Sequence, residues 1–123
     1  MNGTSLVCDT NVILYLFKGE KRAAEQLHDK VIYVSVITEI ELLSYKEATP
    51  SELNIIRKFL LDCIVTTINT HIKDEAIRLR RKYSLKIPDA IICATALFFN
   101  LPLLTSDKKL KNIKELSLVF YES

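Results

Sequence analysis

The fold this sequence predicts is a three-layer α/β/α sandwich around a central, mostly parallel five-stranded sheet. Short β-branched and aromatic runs alternate with longer segments of helical spacing, the pattern of successive βαβ units. The runs SLVC, VIYV, CIVTT, LLT and SLVFY lack polar alternation, as strands buried on both faces require. The 123 residues include only 2 Gly and 3 Pro, which leaves little room for long loops and points to one domain over residues 1–123.

Taken in order, residues 5–8 form a short apolar strand ending at Asp9. TNVILYLFKG is helical in spacing, and KRAAEQLHD continues with good helix formers after a break near Gly19. Residues 31–34 are β-branched and aromatic, a second strand. Ser35 then opens a helix through about Lys46. Thr49-Pro50-Ser51-Glu52 is a capping box with proline at the first helical position, so a helix runs to about Leu61.

Residues 63–67 read as the third strand. Over 70–83, Ile72, Ala76, Leu79 and Tyr83 recur at helical spacing, with Arg78, Arg81 and Lys82 on another face. Pro88 starts DAIICATALFFN, which is apolar on nearly all sides and therefore a deeply buried helix. Asn100 suits the left-handed conformation that ends it, and Pro102 blocks continuation. Residues 103–105 are the fourth strand, a helical turn follows Asp107, and SLVFY is the fifth strand.

Composition narrows the function. Apolar residues make up 49% and charged residues 26%, as in ordinary soluble domains, and no apolar run reaches the ~18 residues of a membrane span. The N-terminus lacks a basic-then-apolar leader pattern, so a cytoplasmic location is expected. Cys8, Cys63 and Cys93 are odd in number, lie in apolar segments and lack zinc-ligand spacing, which reads as buried thiols. His28 and His71 have no metal-pair spacing. No glycine-rich phosphate loop and no nucleophile elbow is present.

Four acids stand out instead: Asp9, Glu41, Asp89 and Asp107, each beside an apolar segment at a strand–helix junction. Ligands of open parallel sheets bind beyond the carboxyl ends of the strands. Asp9 directly follows the first strand, Glu41 lies about two turns into the helix after the second, and Asp107 follows the fourth. Asp89 opens the buried helix, whose N-terminus faces the same edge if the following strand is parallel.

Each acid has a purely structural use as well. Asp9 can cap the next helix, Asp89 suits a helix macrodipole worth ~0.3–1 kcal/mol, and Asp107 can be a turn residue. Glu41 falls within a capping box if Thr38 is the cap, and is free if Ser35 is. The set carries the inference: two carboxylates ~4 Å apart repel by roughly 4 kcal/mol at an effective dielectric near 20. A pocket holding four calls for a divalent cation, and all-oxygen donors select Mg²⁺ or Mn²⁺.

With LVCDTNVIL, VSVITEIELLSY and IPDAIICATALFFNLPLLTSDKKLKNI in place, the chain resembles PIN domains over nearly its whole length, most closely the short VapC-type toxins of type II toxin–antitoxin systems. The resemblance implies a Mg²⁺- or Mn²⁺-dependent endoribonuclease, commonly a homodimer, held inactive by a small antitoxin. Carried over by motif, Asp9, Glu41, Asp89 and Asp107 match the family's acidic quartet, Asn11 the polar residue after the first acid, and Thr105 the hydroxyl before the last. Two departures are visible. Lys109 stands where a further acid is common, which leaves open whether one or two metal ions bind, and Glu39 replaces an apolar residue on another face of its helix.

The net charge of +2 is small, but basic residues cluster. Lys108, Lys109 and Lys111 flank the proposed site, and Arg78, Arg81 and Lys82 share a helix face; both groups are candidate RNA-phosphate contacts. Tyr15, Leu16 and Phe17 read as core, with a dimer or antitoxin surface as the other use. The alternatives are a housekeeping RNA-processing nuclease of this family with no antitoxin, or a non-catalytic RNA-binding domain, which would be marked by loss of site acids. A phosphoacceptor receiver domain is excluded, because Thr66 and Thr67 stand where its acceptor Asp would end the third strand.

Overall fold

The computed structural model describes residues 4–123; residues 1–3, where the leader-pattern reading begins, lie outside the described residues. Strand β1 (Ser5–Cys8) leads through helices α1 (Thr10–Phe17) and α2 (Lys21–Leu27) to β2 (Val31–Ser35). Helices α3 (Val36–Leu43) and α4 (Pro50–Leu61) lead to β3 (Ile64–Thr66). Helices α5 (Thr70–Tyr83) and α6 (Ile87–Phe99) return the chain to β4 (Leu103–Thr105), and a 3₁₀ turn at Lys108–Asn112 precedes β5 (Leu118–Phe120).

The strands lie in the order β3-β2-β1-β4-β5, and all four pairings are parallel. The sheet grows from β1 towards β3, then the chain crosses back and lays β4 on the opposite side of β1. The direction of growth therefore reverses between β1 and β4, and such a reversal opens a crevice at the carboxyl ends of the strands.

Alternation within the short strands divides the interior into two cores. Val7 and Leu103 face one side, where they pack with Ile72, Leu79, Ile92 and Leu110 of α5, α6 and the 3₁₀ turn. Leu6, Cys8, Val34 and Leu104 face the other, with Val12, Ile13, Leu42, Ile56 and Leu60 of α1, α3 and α4. Helix α6 is buried from Ala90 to Ala96, a stretch that includes the small Ala90, Ala94 and Ala96. Tyr15 stacks on Tyr121 and Phe17 meets Phe59 edge-on, at ring separations of 5.6 and 5.4 Å, so both aromatics serve the second core. Cys8 and Cys93 are buried and Cys63 half-buried, all as free thiols; burial pushes the Cys63 thiol up to about 11 and the other two up as well.

Local signals fix most element ends. Gly19 takes φ 88° between α1 and α2, a left-handed value that favours glycine. Thr49 and Glu52 exchange both capping-box bonds, at 3.1 and 2.9 Å, an arrangement whose cap is worth ~1 kcal/mol. Asn100 ends α6 at φ 54°. Several elements are shorter than the sequence suggests, α1 and α2 each ending two residues early, at Phe17 and Leu27. Helix α3 stops at Leu43 instead of near Lys46, where the Ser44 hydroxyl donates back to the Ile40 carbonyl. Strand β3 keeps only Ile64–Thr66, because its partner β2 ends at Ser35 and turns into α3. Strand β5 keeps only Leu118–Phe120, opposite the three residues of β4.

Candidate active site

At the carboxyl edge of β1 and β4, a cavity of about 200 Å³ is lined by Asp9, Glu41, Asp89 and Asp107, together with Thr10, Asn11, Leu14, Tyr45 and Ile92. Four elements deliver the four acids. Asp9 is the residue after β1, Glu41 lies on α3, Asp89 in the first turn of α6, and Asp107 two residues beyond β4. Ser35 is the residue that caps α3, accepting from the Ile37 N–H at 3.1 Å, and this leaves the Glu41 carboxylate outside any capping box.

Asp9 is the anchor, only 6% exposed. Its Oδ1 accepts the Thr10 N–H at 2.8 Å, so it does cap α1, while its Oδ2 accepts the Thr105 hydroxyl at 2.7 Å. Two bonds leave a carboxylate with free lone pairs for a further partner. Thr105 in turn accepts the Asp107 N–H at 3.1 Å, and Asp107 Oδ1 accepts the Lys109 N–H at 2.9 Å. A single buried hydroxyl thus fixes two of the acids relative to each other. On the opposite wall, Thr10 Oγ1 lies 2.6 Å from Glu41 Oε1 and 2.9 Å from Thr38 Oγ1. Thr10 has one hydroxyl proton and the carboxylate can only accept, so Thr38 supplies the proton for the second bond.

Electrostatically the cavity is strained. Burial pushes the Asp9 carboxyl up, and the charges of Asp89 and Asp107 push it further, against the opposing bonds from Thr105 and Thr10. Asp89 is also raised, by burial first and then by Asp107 and Glu41, with Lys86 and Lys109 partly offsetting this. Like charges gathered with so little compensation are characteristic of functional sites. Among the described residues, no group of three or more acids, histidines or cysteines is gathered closely enough to hold a metal ion as the side chains stand. The donors are nevertheless hard oxygens facing one polar cavity. They fit an ion such as Mg²⁺, which is held through one or two carboxylates and keeps several waters.

The other sequence-predicted residues divide. Asn11 lines the cavity, and Thr105 stands behind Asp9 rather than in the cavity wall. Glu39 lies in the first turn of α3 and does not line the cavity. Lys109 acts on Asp89, whereas Lys111 lies over the Phe120 ring at 3.8 Å and Lys108 is exposed. Arg78 and Lys82 are engaged elsewhere: Arg78 pairs with Glu75 and Glu115, and Lys82 with Glu115 at 3.2 Å. Arg81 is exposed. Thr10, Thr38, Tyr45 and Lys86 are site residues that sequence spacing did not single out. Thr10 carried one legible signal, its place beside Asp9; Thr38 on α3, Tyr45 just beyond α3 and Lys86 at the cap of α6 enter only through tertiary packing.

The PIN domain family model matches residues 6–116. Among solved structures, a toxin–antitoxin complex from Klebsiella pneumoniae contains a chain 31% identical to this one, with a TM-score of 0.84 over 96% of this chain and 99% of that one. VapBC2 from Rickettsia felis, bound to a promoter DNA fragment, matches at 20% identity and TM-score 0.85, covering 96% and 99%. VapBC-1 from nontypeable Haemophilus influenzae matches at 23% and 0.80, covering 94% and 97%. These last two speak for the fold alone. Comparison with curated protein sequences finds no match.

Proposed function

The chain belongs to the PIN domain family, and from that premise we propose that it is a Mg²⁺- or Mn²⁺-dependent endoribonuclease, the toxin of a VapBC-type toxin–antitoxin pair. The observation that carries the activity is the convergence of Asp9, Glu41, Asp89 and Asp107 on one cavity. The observation that favours a toxin over a housekeeping nuclease is the likeness, at 31% identity, to a chain of a toxin–antitoxin complex over nearly its full length. A small antitoxin and a second copy of this chain are the expected protein partners.

In this reading Asp9 and Asp89 hold the cation directly, and Glu41 and Asp107 complete the site or act through water. A bound divalent ion supplies a water of lowered pKa and stabilises charge on the phosphate during in-line attack. The chain's own residues prepare that chemistry. Thr105 fixes the Asp9 carboxylate and, through the Asp107 N–H, the loop that carries the fourth acid. Thr10 holds Glu41 on the far wall. Asn11, at the exposed lip, orients a ligand or meets the phosphate, and Lys109 draws the RNA chain towards the acids.

The test is induced expression in bacteria of the wild type beside Asp9→Asn, followed by mapping of RNA ends, with purified proteins assayed on RNA with and without Mg²⁺ or Mn²⁺. Wild type is expected to cut RNA only with metal and Asp9→Asn to lose at least a hundredfold; equal cleavage by both sinks the proposal.

A further inference from the structure

Beside the acid cavity lies a second, larger space of about 340 Å³, and the two share Leu14 and Tyr45 as lining residues. Its lining is largely apolar, with Phe17, Ala48, Ile55 and Ile56 beside Lys18. Tyr45 is 52% exposed and lies in the segment just beyond the end of α3, where it lines both spaces instead of being spent in the core. A phosphodiester lying over the four acids therefore has, immediately beside it, an aromatic face backed by an apolar recess.

Resting on the ribonuclease reading, we propose that this recess is a nucleobase subsite: Tyr45 stacks one unpaired base of the RNA next to the scissile phosphate, and the groove behind it receives that base. The chemistry of the walls selects the occupant. Glu47 and Glu52 also line the groove, which disfavours a phosphate there, whereas a base is uncharged, flat and largely apolar on its faces. The shared Leu14 and Tyr45 set the register, since a base and its own phosphate must be adjacent. A base inside a duplex has both faces stacked already, so the subsite selects single-stranded or looped RNA. Base–aromatic stacking tolerates many sequences, which makes Tyr45 a positioning residue for the strand rather than a reader of one base.

The experiment is a two-way comparison of single-turnover cleavage, wild type against Tyr45→Ala, on an RNA oligonucleotide and on the same oligonucleotide with one abasic site beside the mapped cleavage position. Wild type is expected to lose about tenfold or more in kcat/KM on the abasic substrate, mostly through KM, and Tyr45→Ala to lose a similar factor on intact RNA but little further on the abasic one. Tyr45→Phe restores the discrimination, and Ile55→Ser in the groove lining weakens it without moving a catalytic group. If the abasic penalty is the same in wild type and Tyr45→Ala, the base subsite is overturned, and the groove belongs to another occupant such as an apolar peptide. Wild type cleaving no RNA at all would instead overturn the ribonuclease reading, so the two failures are distinguishable.

Discussion

Two clusters of charge in this molecule are built on opposite plans. Around Glu115, one carboxylate is surrounded by Arg78, Lys82 and the Tyr83 hydroxyl, the last at 2.9 Å, and these partners hold it down to about 2. At the carboxyl edge of β1 and β4, four carboxylates share one cavity, and burial with mutual repulsion pushes Asp9 and Asp89 up. The signs of linkage are therefore opposite. Glu115 contributes stability above the ordinary carboxylate range, and that contribution is lost as pH falls towards about 2. Asp9 and Asp89 favour folding only while protonated and work against it once pH has risen through their folded values. The first plan ties α5 to the chain beyond the 3₁₀ turn; the second costs stability, as the proposed catalytic site would.

The largest expected effect tests whether the acid cavity is organised by its buried hydroxyl. Thr105→Val removes the bond to Asp9 and the acceptor for Asp107 with little change of volume, and should lower cleavage about ten- to a hundredfold. Thr105→Ser should recover most of it, and a failure of serine to rescue would assign Thr105 to packing alone.

Next comes the response to metal, read by thermal melting and independent of activity. Millimolar Mg²⁺ should stabilise the wild type, by about 1.4 kcal/mol when its concentration is ten times Kd. Asp89→Asn should melt higher than wild type without metal, because repulsion is relieved, and gain less from Mg²⁺. An unchanged response would remove Asp89 from the ion's site.

The smallest effect lies at the other cluster. Glu115→Gln should lower Tm at pH 7 by only a few degrees, since exposed pairs are screened by solvent, and leave RNA cleavage as it was. The difference between Glu115→Gln and wild type should shrink as pH is lowered below about 4. If Glu115→Gln also reduced RNA cleavage, the contrast between a structural and a functional cluster would fail.

Much of this was legible in the chain. Residues 70–83, the capping box at Thr49–Glu52 and the left-handed stop at Asn100 are local events, set by spacing, side-chain hydrogen bonding and backbone sterics within a few residues. The apolar strands without alternation gave the parallel, doubly covered sheet for the same reason, and the acids were visible because a carboxylate beside a core segment is conspicuous. Tertiary structure decided what no local window contains. The strand order places β1 beside β4 and so joins Asp9 to Thr105, 96 residues away. Packing of α1 against α3 joins Thr10 to Glu41, 31 residues away. Arg78 and Lys82 look like a free basic face until α5 meets Glu115. Helical and strand periodicity are encoded by neighbours; the sign and company of a charge depend on which distant surface closes over it, and only the assembled fold fixes that.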